Sequence, residues 1–239
     1  LVKNNLSPAG IAMDVNKGPL EKAQEHIREE KLGGKIATRL GNGLAPLEPG
    51  ETDTVIIAGM GGDLICKILK AKPEFLIEGK EFILQPQSEW FKIRRLLKEY
   101  RYQIEKEWFL KEDGKYYVII KAEPAWTQPQ RLKHQQPSIH EYIKEISETP
   151  ANQAVSEKDM ESIYEQYGKY LIETKNPVLK EYLEKEITKK ESIATELKQS
   201  IKEIESEELS GKERGNIAKR QRRYQEIQKE IRDMRKAIG

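Results

Sequence analysis

Three glycines in four residues follow a short apolar run at TVIIAGMGG, residues 54–62. Glycine lacks a Cβ atom, so it permits positive φ angles and the close approach of another group to the main chain. The segment Ala58–Gly62 therefore predicts a place where a ligand lies directly over bare backbone. A plain tight turn is the alternative interpretation, because glycine is also common in turns that bind nothing.

Two further loops follow apolar runs in the same half of the chain. Asp14 ends the run AGIAMD, and a carboxylate there can accept hydrogen bonds from both hydroxyls of a ribose. The loop GNGL follows KIATRL and offers a turn at Gly43, the amide of Asn42 and the apolar Leu44, which together suit an adenine ring. A surface or helix-start acid is the alternative for Asp14, and a type I′ turn is the alternative for GNGL.

These loops need a scaffold, and the hydrophobic pattern predicts one in which strands and helices alternate. Strands are predicted at residues 9–15, 35–40, 53–59 and 81–86, and helical patterns follow the first, third and fourth of them. Such alternation implies a parallel sheet with right-handed crossovers, in which ligands bind at the carboxyl ends of the strands. A last pair of β runs around Asp113 and Gly114 predicts an antiparallel hairpin.

Beyond Pro124 the composition changes. A polar linker at residues 125–137 leads into sequence that favours helices, beginning with IHEYIKEI and SEKDMESIYEQYGKYLIE. Spacings of seven, three, four, three and four residues near the end of the chain indicate a heptad seam, formed by Ile217, Tyr224, Ile227, Ile231, Met234 and Ile238. We predict a coiled-coil hairpin of two helices, and two domains at residues 1–124 and 125–239.

Composition limits the classes of function. The chain carries 42 basic and 40 acidic residues, for a net charge of +2, so overall charge does not identify a partner. The single cysteine, Cys66, excludes an internal disulfide. No apolar run approaches the roughly 20 residues of a membrane span. We therefore expect a cytoplasmic protein that does not enter a membrane.

The motifs resemble the bacterial TrmK family of S-adenosylmethionine-dependent tRNA methyltransferases, which modify N1 of adenine 22. The resemblance lies in IAMDVNKGPLEKA, RLGNGLAPLEPGE, TVIIAGMGG, ILQPQ and EDGKYYVII, within residues 1–123. It implies a Rossmann-like class I methyltransferase sheet with a terminal antiparallel hairpin, S-adenosyl-L-methionine as cofactor and tRNA as partner. The cofactor contacts that it implies are Asp14, Asn42, Gly43, Leu44, Ala58 and Gly59. The reaction surface that it implies comprises Gly59, Met60, Gly61 and Gln85, without a metal.

Two departures from the family pattern matter. The family begins with a strand and a loop of the type DIGSDHAYLP, whereas this chain opens at LVKNNL. We expect a truncated start, and a genuinely shortened, inactive chain is the alternative. Gln87 stands where the family usually has asparagine, which affects the polar contact at that position.

The implied reaction depends on positioning. Adenine N1 has a lone pair at neutral pH, so its attack on a sulfonium methyl needs no prior deprotonation, and in-line placement should dominate. The base must first leave its stack. Met60 would lie against the adenine or the cofactor, and Gln85 and Gln87 can hydrogen-bond an adenine edge.

RNA binding requires cations. Residues 212–236 hold ten Lys or Arg against four Asp or Glu, a local net charge of +6. A second basic group follows LQPQ and consists of Lys92, Arg94, Arg95, Lys98 and Arg101. A solvated coiled-coil face is the alternative interpretation of the C-terminal run.

Two other classes of function remain open at this point. A noncatalytic RNA-binding or coiled-coil interaction protein derived from the same fold would use the helical half alone. A dinucleotide-dependent oxidoreductase is less favoured, because AGMGG lacks the G-x-G-x-x-G spacing. Cofactor binding distinguishes the three classes. The heptad seam is compatible with a monomer or a weak dimer.

Overall fold

The computed structural model describes residues 1–125, 155–205 and 211–239. The first half contains β1 (Gly10–Asp14), α1 (Lys17–Glu29), β2 (Ile36–Leu40), β3 (Thr54–Met60), α2 (Gly62–Ala71), α3 (Pro73–Ile77), β4 (Glu81–Pro86), α4 (Trp90–Glu99), β5 (Tyr102–Glu112) and β6 (Lys115–Pro124). The second half contains α5 (Val155–Tyr167), α6 (Lys169–Glu173), α7 (Pro177–Glu205) and α8 (Gly211–Ile238). The predicted linker beyond residue 125 and the predicted helix IHEYIKEI lie outside the described residues.

The described strands form two sheets. β1 and β2 pair in parallel, with Asp14 opposite Leu40. The larger sheet has the order β3-β4-β6-β5, in which β3 and β4 are parallel and β6 is antiparallel to both of its neighbours. Helices separate the parallel strands along the chain, so the predicted Rossmann-like α/β class with a mixed sheet is confirmed. In the described sheets β3 has β4 as its hydrogen-bonded neighbour, and Ile56 of β3 is half exposed.

The alternation of side chains along the strands and the helical spacing of apolar residues explain which side chains are buried in the core. In β6, Val118, Ile120 and Ala122 are fully buried while the residues between them are partly exposed, as expected for a strand with one face on the core. In α4, Ile93 and Leu97 are fully buried at a spacing of four residues, which places them on one helical face. This face of α4 lies towards the sheet, and α4 also contacts α2 and β5.

The helical half packs directly on the first half. α6 and α7 contact β5, α5 contacts both α4 and α8, and α7 lies along α8. The seam residues Ile227 and Ile231 are buried, and Leu171 and Leu183 belong to the same hydrophobic cluster as Phe109 of β5. The two halves therefore share one continuous core. No helix in the described parts of the chain is long and apolar enough to cross a membrane.

Arg94 is not part of a surface basic group, and that prediction is wrong for this residue. Its guanidinium is 4% exposed and its Nε lies 2.8 Å from Oε1 of Glu107, whose side chain is 0% exposed. The Nη1 group donates to the main-chain carbonyls of Glu165 and Gln166 at 3.0 and 2.9 Å. Arg94 thus supplies donors to the carbonyl groups that α5 leaves unpaired at its C-terminal end.

The segment SEKDMESIYEQYGKYLIE forms two helices that meet at Gly168, not one. Gly168 has a φ of +92°, and a Cβ atom there would lie 2.4 Å from Oε2 of Glu107. The Oε2 atom of Glu107 is buried and has no hydrogen-bond partner among the described residues. Burial raises the pKa of Glu107, while the neighbouring Arg94 charge opposes that shift. Arg94 of the buried pair therefore caps the end of α5, and Glu107 lies directly against Gly168 at the break.

Candidate functional site

The glycine turn joins β3 to α2 and begins with an open backbone position. Gly59 has a φ of +76° and lies at the irregularity of the β3–β4 ladder between Ala58 and Met60. A Cβ atom at Gly59 would meet no heavy atom within 4 Å, so open space lies on that side of the main chain. The Gly59 N–H donates to Oε1 of Gln85 at 2.8 Å. Gln85 therefore fixes the orientation of the bulged peptide.

The next two glycines serve close packing. Gly61 precedes α2, and a Cβ atom there would lie 3.2 Å from Oγ of Ser88. A Cβ atom at Gly62 would lie 2.6 Å from the main-chain oxygen of Glu89. The Gly62 N–H donates to the Ser88 carbonyl at 3.0 Å. The start of α2 is thus held against residues 87–89, which follow β4.

Met60 and the two glutamines complete this edge of the sheet. Met60 is partly buried against the core, and its carbonyl accepts a hydrogen bond from the Gln87 N–H at 2.8 Å. The side chain of Gln85 uses its oxygen on Gly59, and its Nε2 lies 3.4 Å from the Pro86 carbonyl. A contact between Gln85 and an adenine edge would therefore have to use the NH₂ group. Gln87 is exposed.

A cluster of charges ties α2 to α4. Lys92 Nζ lies 2.9 Å from Oδ1 of Asp63 and 2.5 Å from Oε1 of Glu89. Hydrogen bonds from Lys67 and Lys92 lower the pKa of Asp63 to about 2. Glu89 has a φ of +54° and accepts a hydrogen bond from the Asp63 N–H at 3.2 Å. Both carboxylates neutralise Lys92, so this lysine is not an unpaired cation.

The second group of candidate residues lies at the ends of β1 and β2. The Asp14 carbonyl accepts a hydrogen bond from the Gly41 N–H at 3.0 Å, and its carboxylate accepts one from the Asn16 N–H at 2.7 Å. Asp14 is partly exposed, so its carboxylate can also meet a ligand. The two sites at Asp14 and Gly59 belong to different sheets, and both follow the carboxyl ends of parallel strands.

The GNGL loop is firmly packed. Gly43 has a φ of +55°, and a Cβ atom there would lie 2.8 Å from Cγ2 of Ile68 in α2. Leu44 is 3% exposed and belongs to the hydrophobic core, whereas Asn42 is exposed. A ligand at this loop can therefore contact the Asn42 side chain and main-chain atoms.

Most cations after β4 are neutralised, and several on α8 are not. Arg95 pairs with Glu165 at 3.0 Å, and Lys98 pairs with Glu161. In α8, Arg235 pairs with Glu191. Four exposed side chains of α8 have no ion-pair partner among the described residues: Lys219, Arg222, Lys229 and Arg232. Their spacings of three, seven and three residues keep them on one side of the helix.

Three carboxylates on the larger sheet approach one another without needing a metal. Glu81, Glu105 and Glu123 have carboxylate oxygens within 4.8 Å of one another. Lys121 Nζ lies 3.1, 2.5 and 3.1 Å from these three groups, in that order. The hydrogen bonds that Lys121 donates to the carboxylates of Glu105, Glu81 and Glu123 raise the pKa of Lys121, so the lysine serves as their counter-charge.

Sequence reasoning found the glycine turn and missed the residues that support it. Ser88 and Glu89 hold Gly62 in place, and Glu107 holds the helix break, but no motif marked any of them. Glu107 could have been recognised from the sequence, because it is a charged residue at a position of β5 that strand alternation assigns to the buried face.

Comparison with known proteins agrees with the motif resemblance. The family model TrmK, tRNA (adenine(22)-N(1))-methyltransferase, matches residues 1–149. A Bacillus subtilis (strain 168) protein named tRNA (adenine(22)-N(1))-methyltransferase is 38% identical over 122 residues, which are 51% of this chain and 51% of that protein. The chain thus spans about half the length of this curated relative.

Solved structures show the same fold. The crystal structure of B. subtilis TrmK has a TM-score of 0.69 at 24% identity and is matched over 100% of this chain and 85% of its own. M. capricolum TrmK, solved in complex with the natural cofactor product S-adenosyl-homocysteine, has a TM-score of 0.65 at 24% identity, over 100% and 84%. Because the family model covers more than half of its residues, the chain belongs to the TrmK, tRNA (adenine(22)-N(1))-methyltransferase, family.

Proposed function

We propose that this protein transfers the methyl group of S-adenosyl-L-methionine to N1 of adenine 22 in tRNA. The observation that carries the proposal is the family match over residues 1–149, which include the glycine turn, Gln85 and Asp14. The curated relative that bears this name is matched over about half of its length, so the activity of this chain needs its own test.

The residues present fit the cofactor. The backbone at Gly59 is open, Asp14 offers a partly exposed carboxylate for ribose hydroxyls, and Asn42 offers an exposed amide. The cofactor supplies a methyl group activated by a sulfonium sulfur. The residues that would hold it are Asp14, Asn42, Gly43, Leu44, Ala58 and Gly59. Gly43 and Leu44 would contribute main-chain atoms, since the Leu44 side chain is in the core.

The reaction surface would be formed by Gly59, Met60, Gly61 and Gln85. During transfer the lone pair of adenine N1 forms the new N–C bond while the C–S bond breaks. The base becomes a cation and S-adenosylhomocysteine leaves. No proton moves before the transfer, so these residues would act by positioning. Gln85 would hold the Gly59 peptide in its open conformation through the 2.8 Å hydrogen bond.

The tRNA would be held by residues 125–239, which we propose as a second domain that packs on residues 1–124 and whose α7 and α8 form a coiled-coil hairpin. The unpaired cations of α8 are the electrostatic feature that supports this role, because phosphate contacts dominate RNA affinity. We propose that the protein is cytoplasmic and acts as a monomer or a weak dimer.

The test is methyl transfer to a defined tRNA. Two proteins are compared: this chain, and the same chain with the upstream strand that the family resemblance leads us to expect. Each is incubated with methyl-labelled cofactor and a tRNA transcript carrying adenine at position 22, and primer extension then locates the modified base. A transcript with guanine at position 22 is the control.

Label in the adenine transcript and none in the control would support the proposal. No transfer by either protein would overturn it. A noncatalytic RNA-binding protein is the second candidate, because the exposed cations of α8 require no chemistry. Retained tRNA binding without cofactor binding would favour that candidate.

A further inference from the structure

The first turn of α2 receives hydrogen-bond acceptors from the segment that follows β4. A helix begins with main-chain N–H groups that have no acceptor within the helix itself. Gly61 holds the capping position before α2 and has no side chain that could accept them. The Gly62 N–H donates to the Ser88 carbonyl at 3.0 Å, and the Asp63 N–H donates to Oε2 of Glu89 at 3.2 Å. Two consecutive donors are therefore satisfied by residues 26 positions further along the chain.

Close packing explains why the cap comes from another segment. A Cβ atom at Gly61 would lie 3.2 Å from Oγ of Ser88, and one at Gly62 would lie 2.6 Å from the main-chain oxygen of Glu89. This packing favours glycine at both positions and disfavours the Ser, Thr, Asp or Asn that usually caps a helix. The carboxylate of Glu89 supplies the acceptor that a capping side chain at residue 61 would otherwise provide.

The main chain at Glu89 is in a conformation that glycine adopts more readily. Glu89 has φ and ψ angles of +54° and +41°, in the left-handed region. Residues with a side chain remain in this region where the surrounding contacts hold them there, often at functional sites. Here those contacts are the hydrogen bond to the Asp63 N–H and the packing against Gly62. The glutamate side chain is therefore kept at a position where its main chain is strained.

Two lysines make it possible for carboxylates to gather at this helix start. Lys92 Nζ lies 2.9 Å from Oδ1 of Asp63 and 2.5 Å from Oε1 of Glu89. Lys67 Nζ lies 2.7 Å from the second oxygen of Asp63. The lysine charges offset the repulsion between the two carboxylates, and negative charge near a helix N-terminus is favourable. Glu89 can therefore stay ionised while it accepts the main-chain hydrogen bond, which a charged acceptor strengthens.

We propose that Glu89 is a positioning residue for methyl transfer, because its carboxylate holds the start of α2 and, with it, the reaction surface at Gly59, Met60 and Gly61. The inference rests on the proposed function. Glu89 would act through the main chain of the turn and would touch neither the cofactor nor the base. The same segment also fixes Met60, whose carbonyl accepts the Gln87 N–H at 2.8 Å. A displaced turn should lower the rate of transfer more than it lowers affinity, since the reaction depends on in-line placement.

The first test measures hydrogen exchange of the Gly62 and Asp63 amides in the full chain without cofactor. Glu89→Ala removes the acceptor, and we expect these amides to exchange about fivefold faster, as for the loss of a typical helix cap. Glu89→Gln keeps an acceptor oxygen and should restore most of the protection. Glu99→Gln is the matched control, because Glu99 pairs with Lys70 at 3.2 Å and joins the same two helices at their other ends.

Glu89→Gly separates positioning from stability. Glycine relieves the left-handed strain, so this variant should have a higher urea midpoint than Glu89→Ala, although it also lacks the carboxylate. We expect both variants to lose about threefold in S-adenosylmethionine affinity and about tenfold in kcat, with the KM for tRNA changed by less than about twofold. Glu89→Gln should recover most of the kcat. A purely structural role would instead make kcat follow the urea midpoint.

Several outcomes would overturn the inference: unchanged exchange of the two amides in Glu89→Ala, an equal effect of Glu99→Gln, or a kcat that follows stability. Equal transfer at adenine 22 by the parent protein and every variant would overturn it while the proposed function stands. Faster exchange and weaker cofactor binding in Glu89→Ala, without any transfer by the parent, would overturn the proposed function and support the role of Glu89 in holding the turn. A parent protein that binds no cofactor would overturn both.

Discussion

At the scale of single residues, Gln85 has a measurable supporting role. Gln85→Ala removes the acceptor of the Gly59 N–H, so we expect weaker S-adenosylmethionine binding with a stability loss of only about 1 kcal/mol. Gln85→Glu retains an acceptor oxygen and should restore most of the affinity. Calorimetric titration and urea unfolding measure the two effects. If the Glu and Ala variants bind equally poorly, the amide NH₂ group matters and the hydrogen bond to Gly59 does not.

The glycines of the turn should differ in their tolerance of a side chain. Gly62→Ala places a methyl group 2.6 Å from a main-chain oxygen, which should cost about 1–3 kcal/mol in unfolding free energy. Gly61→Ala meets only a serine hydroxyl at 3.2 Å and should cost less. Gly61→Val should still fold while losing methyl transfer. Urea midpoints for the matched alanine variants check this order, and equal losses would contradict the packing assigned to Gly62.

The sequence predicted where the turn lies, but not what each glycine does. Composition alone cannot separate the open position at Gly59 from the packed one at Gly62, because the difference depends on main-chain atoms of residues 88 and 89. The same limit applies to Leu44, whose apolar character fits either a ligand contact or the core. These roles depend on contacts between segments more than 20 residues apart.

At the scale of elements, the buried pair of Arg94 and Glu107 holds the break between α5 and α6. Arg94→Met leaves the Glu107 carboxylate buried without its partner, and we expect a loss of about 3–5 kcal/mol in unfolding free energy. Lys98→Met is the matched control, since its pair with Glu161 is solvent-exposed and should contribute less than about 1 kcal/mol. Similar losses in both variants would argue against a specific role of the buried pair.

Periodicity predicted most elements of the first half and failed at this break. The spacing of apolar residues in SIYEQYGKYLIE, residues 162–173, is helical on both sides of Gly168, so the pattern gives no reason to interrupt the helix. The interruption depends on a positive φ at Gly168, on hydrogen bonds from Arg94 of α4 and on the close approach of Glu107 of β5. Local pattern carries no information on such partners.

At the scale of the whole molecule, exposed ion pairs should make stability depend on acid pH. Hydrogen bonds from lysine or arginine lower the pKa of Glu51, Asp63 and Glu181 to about 2. A carboxyl group with a depressed pKa contributes its full stabilisation above the pKa of the unfolded chain and loses it as pH falls towards 2. We therefore expect urea midpoints to fall from pH 5 to pH 2.

Glu181→Gln should flatten part of that pH dependence, because Glu181 joins Lys111 of β5 to Lys185 of α7. Glu184→Gln, on the same helix, serves as the control because its pair with Lys180 spans 3.9 Å between two exposed side chains. An unchanged pH profile in Glu181→Gln would show that this network does not contribute to the acid transition.

The largest-scale question is whether residues 1–124 and 125–239 unfold separately, as the change in composition near Pro124 suggests. Trp90 of α4 packs on Phe109 of β5 at 5.4 Å and on Tyr182 of α7 at 5.7 Å, so one aromatic cluster belongs to both parts. We expect tryptophan fluorescence and far-ultraviolet circular dichroism to report a single coincident urea transition. Tyr182→Ala should shift both signals together, by about 2–4 kcal/mol.

Ile193→Ala is the matched control on α7, since Ile193 is 39% exposed and should shift neither signal appreciably. Two separated transitions, with Tyr182→Ala moving only the dichroism signal, would mean that the helical part unfolds on its own despite the shared core. In that case the aromatic cluster of Trp90, Phe109 and Tyr182 would come apart without loss of the sheet. A coincident transition would instead mean that this aromatic cluster is lost only when the whole fold unfolds.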